Sequence, residues 1–283
     1  MSKARGRLEV IATPIGNLSD LSPRARQALE EADLIAAEDT RHTLGMLQAL
    51  GISRPLLSVH AHNETQRVPE VLRRLAGGEV VALVSDAGTP LLSDPGFELV
   101  SGAARAGLEV RVVPGPSAIT AALAIAGLPT ARFCFEGFLP ARSHERRVRL
   151  AGLAGETRTL VFFEAPHRVA ETLAEMAQEF GPDRLAVVAR EMTKAHETIY
   201  RASLGELSQQ ATTDANFQRG ELTLVVQGAA EVASGVDTQL LRRAVELLSR
   251  ELPPGRAAAI AAQLTGATRS QAYELLTRVA RDE

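Results

Sequence analysis

Five short apolar runs in the first 113 residues leave this chain few folds to choose from. Leu8–Ala12, Leu34–Ala37, Leu56–Val59, Val80–Val84 and Val110–Val113 are each four or five residues long and mostly apolar, and Val80–Val84 is apolar throughout. Runs of that length read as strands covered on both faces, the mark of a parallel sheet. What separates them reads as helix. Ser22 as N-cap and Pro23 at the first helical position open a helix through Glu31. Leu44, Leu47 and Leu50 mark a second, which Gly51 stops. Val68, Val71, Leu72 and Leu75 fall at i, i+3, i+4 and i+7. A helix is predicted around Phe97–Ala106, and Pro114-Gly-Pro-Ser117 caps another to Ala126. Five strands joined by crossover helices predict a doubly wound parallel α/β sheet.

After Gly127-Leu128-Pro129 the pattern changes. Strands are predicted at Phe133–Phe138, Thr159–Phe163, Leu185–Arg190, Thr198–Ser203 and Glu221–Gln227, with helices near 144–154 and 167–179. The Leu185–Arg190 and Thr198–Ser203 pair is close enough for a hairpin, so this second sheet should be mixed. A Gly/Ala/Ser-containing linker, Ala229–Asp237, leads to a purely helical end. There Pro253-Pro254-Gly255 and Thr265-Gly266-Ala267-Thr268 separate three amphipathic segments. The expected division is an N-terminal α/β lobe over 1–118, a C-terminal α/β lobe over 119–229 and an all-α tail over 237–283. Two short helices about a glycine turn suit a helix-turn-helix or a packing appendage. Seven Arg against six acidic residues from Asp237 onward weigh against strong independent nucleic-acid binding and leave room for a supporting role.

At −3 the net charge makes no global case for nucleic acid, so any such case is local. Arg142, Arg146, Arg147, Arg149 and Arg158, set against Glu145 and Glu156, form either a solvated helix face or a phosphate-contacting patch. With 4% aromatics and no Trp, an extended base-stacking platform is excluded. No run nears the roughly 18 apolar residues of a membrane span, and a strand rather than a signal-peptide core follows Met1–Arg7. A cytoplasmic protein with no membrane partner is expected. The single Cys134 lies in an apolar run and reads as a core position.

The chemistry should sit past the strand Val80–Val84. Twelve residues, Ser85–Gly96, follow it, whereas a strand-to-helix connection usually takes about 2 to 6. Ligands in open parallel sheets bind at the carboxyl ends of strands, and this loop holds Asp86 and Asp94. Several chemistries are excluded by spacing. The first loop has only Gly16 where a dinucleotide fold needs three glycines, and neither a P-loop nor a G-x-S-x-G elbow occurs. His60 and His62 lack the partners of a closed metal site, so no metal is expected.

One set of motifs carries a resemblance: Val84-Ser-Asp-Ala-Gly-Thr-Pro-Leu-Leu-Ser-Asp-Pro-Gly96, Ala12-Thr-Pro-Ile-Gly-Asn-Leu18, Ala37-Glu-Asp-Thr-Arg41, His62-Asn-Glu64, Pro114-Gly-Pro-Ser-Ala118, Phe135-Glu-Gly-Phe-Leu-Pro140, Phe162-Phe-Glu-Ala-Pro-His-Arg168 and Glu191-Met-Thr-Lys-Ala-His-Glu197. In this order they resemble the ribosomal RNA small subunit methyltransferase I family, of the tetrapyrrole methylase-like class of S-adenosylmethionine enzymes. The likeness runs from about residue 8 to the end. It implies 2′-O-methylation of a cytidine in the decoding region of 16S rRNA, with the rRNA met within the small ribosomal subunit, and a homodimer. It also implies cofactor contacts at Pro14, at Asp86, Ala87, Gly88, Leu91 and Ser93, at Ser117 and Ala118, at Phe163 and Glu164, and at Glu221, Leu222, Thr223 and Leu224. Gly88 would let backbone approach the adenosine, the helix start at Ser117 and Ala118 would meet the methionine carboxylate, and Phe163 would form an apolar wall.

For transfer to a 2′-hydroxyl, a base or a charge beside the developing alkoxide is wanted. Lys3 and Lys194 are the only lysines among 31 basic residues. In a chain that otherwise uses Arg, Lys194 marks either a required compact ammonium or chance retention. The expected substrate-side set is Glu191, Lys194 and Glu197, with Asp39, Arg41, His62 and Glu64 from facing strand ends; the base stays open among them. RNA contacts are expected at Arg142, Arg146, Arg147 and Arg149. Two rival readings share these features: a precorrin-type small-molecule methylase, and a non-catalytic ribosome-assembly factor.

Overall fold

All five apolar runs become strands, β1 (Arg7–Ile11), β2 (Leu34–Ala37), β3 (Leu56–Ser58), β4 (Val80–Val84) and β5 (Glu109–Val113). They form one parallel sheet in the order β3-β2-β4-β1-β5. Strands β1, β2 and β4 are buried almost throughout because both faces are covered, while the edge strands β3 and β5 are more exposed. Ile11, Ile35, Ala82 and Val84 pack under α1 (Pro23–Glu31) and α2 (Thr40–Leu50); Leu8, Leu34, Val81 and Leu83 pack under α3 (Glu64–Ala76) and α4 (Phe97–Arg105). The expected caps form: Ser22 accepts from Ala25 N–H, Pro23 is the first residue of α1, and Gly51 ends α2 at φ 72°. The computed structural model describes residues 6–230 and 238–282.

The chain then builds a second five-stranded sheet, ordered β6-β7-β10-β8-β9, from β6 (Phe133–Phe138), β7 (Thr159–Glu164), β8 (Leu185–Arg190), β9 (Thr198–Ser203) and β10 (Leu222–Val226). Only β6 and β7 pair parallel, so the sheet is mixed, and β8 and β9 form the expected hairpin. One face packs on α6 (Ser143–Leu153), α7 (Val169–Phe180) and α8 (Leu204–Thr213) around Leu150, Leu173, Met176 and Leu207. The other carries α5 (Ala118–Ala126), whose Ile119, Ala122, Leu123 and Ala126 meet Val161, Val187, Ala189 and Val225. Thus the helix that leaves β5 of the first sheet seats on the second, and its first turn lies where the two sheets face each other. Helix α8 was not expected, although Ser203 and Glu206 form a reciprocal capping box of the S-x-x-E kind that sequence can display.

Two compact units result, Met1–Gly228 and Ala229–Glu283. In the second, α9 (Thr238–Ser249), α10 (Pro254–Thr265) and α11 (Arg269–Asp282) share a core of Leu241, Val245, four alanines of α10, Ala272 and Leu276. Gly266, at φ 72°, turns α10 into α11, and Thr268 and Gln271 cap the start of α11 on each other. Most of the expected linker, residues 231–237, lies outside the described residues. No helix among the described residues is long and apolar enough to cross a membrane.

Candidate active site

A cavity of about 430 Å³ opens where the carboxyl ends of β2 and β4 and the start of α5 meet the end of β7 and the start of β10. This is the strand-end position that the parallel topology favours for ligands. Of the residues for which the resemblance implies cofactor contact, Asp86, Ala87, Gly88, Ser93, Ser117, Ala118, Phe163, Glu164, Glu221, Leu222 and Thr223 line it. Pro14, Leu91 and Leu224 do not. Beside Pro14, Ile15 takes the wall position. Leu91 instead packs toward Gly96 and the core of the first sheet. Leu224 points to the α7 side, because neighbouring strand residues alternate and Thr223 has the cavity face.

Backbone geometry shapes the long loop. Gly88, at φ 78°, exchanges hydrogen bonds with Thr13, whose N–H donates to Gly88 O at 2.8 Å and whose carbonyl accepts from Gly88 N at 3.0 Å. The loop is thereby pinned to the exit of β1. Leu91 and Ser93 also hold positive φ (75° and 70°). Such conformations cost non-glycine residues about 1 to 3 kcal/mol and persist where surroundings dictate them. A bulge in β6 places Gly137 against Ser93: a Cβ there would stand 3.0 Å from Ser93 Oγ.

The walls differ in chemistry. Phe163 stacks edge-on with Phe135 at 4.9 Å and lies 5.6 Å from Phe138, giving an apolar side. Ser117, Ala118 and Ile119 at the start of α5 line the cavity, and the Ser117 side chain does not cap the helix, so it does not take up the first-turn N–H groups. Every ionisable lining residue is a carboxylate: Glu38, Asp86, Asp94, Glu164 and Glu221. Burial first, then neighbouring carboxylates, pushes Glu38 and Asp94 above the ordinary range. A flat apolar wall, helix N–H groups and an all-acidic lining fit the adenine, carboxylate and sulfonium cation of S-adenosylmethionine. Among the described residues no group of three His, Cys, Asp or Glu side chains is placed to hold a metal ion.

At the rim stands the loop between β8 and β9. Lys194 Nζ donates to Glu191 Oε1 at 2.8 Å and lies 3.1 Å from Glu221 Oε2, so it ties this loop to the cavity wall. Glu221 N–H also donates to Glu191 Oε1 (2.9 Å), and Thr193 N–H to Glu197 Oε2 (2.6 Å). Burial works against the charge on Lys194, but its two carboxylate partners outweigh it and raise the ammonium above its ordinary value. Lys194 is thus a fixed cation rather than a base. Glycines make room for it: a Cβ on Gly16 would meet Lys194 Cγ at 2.4 Å, and one on Gly220 would meet Glu191 Cδ at 2.4 Å.

The other expected residues divide. Asp39 caps α2 and pairs with exposed Arg41 at 2.8 Å, and its own N–H donates to Asp86 Oδ1 at 3.0 Å, at the cavity edge. The hydrogen bonds with Arg41 hold its carboxyl at about 2, too low for a base. His62 is exposed and stacks edge-on with His60. Glu64 is buried, and Oε1 accepts from Leu99 N–H at 3.0 Å; it caps α4 and is not among the residues lining the cavity. Glu164, also buried, is taken up by Thr172, Ala165 N–H and Arg168. On α6, Arg146 is not a phosphate contact. It is 1% exposed, clamped by Glu175 and Glu171, whereas Arg142, Arg147 and Arg149 face solvent. Glu38, Thr89 and Phe138 line the cavity without having been singled out, and so does Asp94, which was noted in the loop but given no contact. Asp94 was visible as the second acid of the long loop and Glu38 as the residue closing the second apolar run.

The sequence matches the Tetrapyrrole (Corrin/Porphyrin) Methylases family over residues 7–208 and the RsmI C-terminal HTH domain over residues 235–278. Relatives carrying the name ribosomal RNA small subunit methyltransferase I include one from Xylella fastidiosa (strain Temecula1), 53% identical, covering 95% of this chain and 98% of its own length. Those of Pseudomonas aeruginosa and Escherichia coli O157:H7 are 51% and 45% identical, over 95% and 96% of this chain and 96% and 94% of theirs. In structure the chain is similar to the methyltransferase CobJ (TM-score 0.60, 23% identity, 80% of this chain and 95% of that one). It is also similar to a Thermus thermophilus uroporphyrin-III C-methyltransferase complexed with S-adenosyl homocysteine (TM-score 0.53, 21% identity, 78% and 97%). The chain belongs to the ribosomal RNA small subunit methyltransferase I family, a branch of the tetrapyrrole methylases, and is an S-adenosylmethionine-dependent methyltransferase.

Proposed function

We propose that this chain methylates the ribose 2′-oxygen of a cytidine in the decoding region of 16S rRNA, working in the cytoplasm as a homodimer on the small ribosomal subunit. The observation that carries the reading is the Lys194 ammonium, fixed by Glu191 and by cavity-lining Glu221 at the rim of the cofactor cavity. The names of the relatives and the match of the tail support an RNA substrate. The arginines Arg142, Arg147 and Arg149 supply phosphate contacts, and the division at 118/119 puts one cavity wall on each lobe.

When bound, the cofactor supplies a methyl group on a cationic sulfur. The chain's own residues then have three tasks. The phenylalanine wall and the first turn of α5 orient the donor. Positioning of the ribose oxygen in line supplies much of the rate. Lys194, already paired and therefore in place before reaction, stabilises negative charge growing on that oxygen. The test is to isolate small subunits from a strain lacking this protein, add the protein with labelled cofactor, and map methyl groups by mass spectrometry. One new 2′-O-methylcytidine in the decoding region is expected; methylation of a precorrin instead, or subunit binding with no transfer, overturns the reading.

A further inference from the structure

The residues named so far leave the 2′-hydroxyl proton without an acceptor. Lys194 holds its own protons, Asp39 is committed to Arg41, Glu64 is buried as a helix cap, Glu191 is paired with Lys194, Glu197 accepts from the Thr193 N–H, and His62 is exposed and not among the residues lining the cavity. Of the five carboxylates in the cavity, Glu164 is consumed by Thr172 and Ala165, Glu221 by Lys194, and Asp86 by the Asp39 N–H. Glu38 and Asp94 remain. Glu38 ends β2, half-buried, on the same cavity surface as Gly88 and Phe163. The adjacent Asp39 N–H donates to Asp86 Oδ1 at 3.0 Å, which joins the exits of β2 and β4 beside Glu38.

We propose that Glu38 is the group that takes the proton from the ribose 2′-hydroxyl, with Asp94 beside it as the positioning residue that sets its basicity. The inference rests on the ribose reading of the substrate. In the step, the O–H bond breaks and the proton passes to a Glu38 oxygen. The 2′-oxygen forms its bond to the methyl carbon as the S–C pair returns to sulfur, so one positive sulfonium and one negative carboxylate become a neutral thioether and a neutral acid. The carboxylates facing Glu38 are Asp94 and Asp86 from the loop after β4 and Asp39 from its own strand exit; with burial, they make its proton affinity higher than that of an exposed carboxylate. A base must be ionised at neutral pH yet basic enough to draw the proton, and such surroundings move a carboxyl toward that balance.

Four measurements decide it, all on the full chain. Carbon-13 NMR titration of the cofactor-free protein should show the Glu38 carboxyl titrating above ordinary glutamates and falling in Asp94→Asn. Calorimetry should find that Glu38→Gln still binds S-adenosylmethionine, so that the cofactor can be brought to saturation. Single turnover on small subunits at saturating cofactor should slow by roughly 100- to 10,000-fold in Glu38→Gln. In Asp94→Asn the acid limb of the pH–rate profile should move to lower pH. Full transfer by Glu38→Gln, loss of its cofactor binding, or an unmoved acid limb in Asp94→Asn overturns the proposal. A methyl found on a nucleobase overturns the ribose reading and this proposal with it, whereas a ribose methyl with an unaffected Glu38→Gln overturns this proposal alone.

Discussion

Lys194 shows how far a single residue can be understood from its neighbours. Scarcity of lysine singled it out, but its charge state depends on Glu221, 27 residues away in sequence and brought close only by β10 pairing with β8. The pair has a defined pH window. The Glu191 carboxyl is held below 4.5, first by its hydrogen bond with Lys194, so its contribution to stability is complete above 4.5 and is lost as pH falls through the lowered native value. Lys194 is raised above 10.5, so its contribution is complete below 10.5 and is lost as pH rises through the native value. Lys194→Met should therefore destabilise the protein by about 1 to 2 kcal/mol at neutral pH, the low end reflecting the exposed Glu221 partner. In urea titrations the gap to wild type should close in acid. A gap that persists undiminished there would show that packing on Gly16, not the ion pair, supplies the effect.

At the scale of elements, α6 separates two kinds of arginine that look alike as a charge cluster. Arg146, Leu150 and Leu153 are spaced four and three apart, and all three are buried. That stripe was legible in the sequence, and reading the arginines only as a run of charge missed it. Arg146 crosses to Glu175 and Glu171 on α7, so Arg146→Ala would strand the Glu175 carboxylate, whose side chain is 12% exposed. A loss of about 3 kcal/mol is expected, read as a lower urea midpoint with an unchanged slope. Replacing Arg142 and Arg147 together by alanine, with Arg149 left on the 12%-exposed Glu136, should keep the midpoint within about 0.5 kcal/mol of wild type, since Arg142 pairs with exposed Glu145. It should weaken small-subunit binding and flatten its salt dependence. Equal loss of stability in both variants would contradict this division.

For the whole molecule, the strands were readable because burial writes itself as short, mostly apolar runs, unbroken in the central β2 and β4, whereas the cavity was not. Its walls come from residues between 15 and 223, and which strand exits face each other follows from strand order, a long-range property that no local pattern carries. Glu38 and Asp94 are the consequence: each looked like the polar end of its own segment until the sheets assembled around one cavity. The helical tail is a different case, because its core of Leu241, Val245, the α10 alanines and Leu276 shares no residue with the cores of the two sheets. Ending the chain at Gly228 should leave S-adenosylmethionine affinity within about threefold, some 0.6 kcal/mol, by calorimetry, since every cavity-lining residue precedes that point. Small-subunit affinity should fall by about tenfold, roughly 1.4 kcal/mol, if the tail has the supporting role assigned to it. With seven Arg against six acidic residues, the tail cannot supply that gain mainly through phosphates. The slope of log affinity against log salt should therefore barely change, where each lost phosphate contact would lower it by about one. A slope reduced by several units would instead mean that the tail's arginines gather on one face and carry the binding.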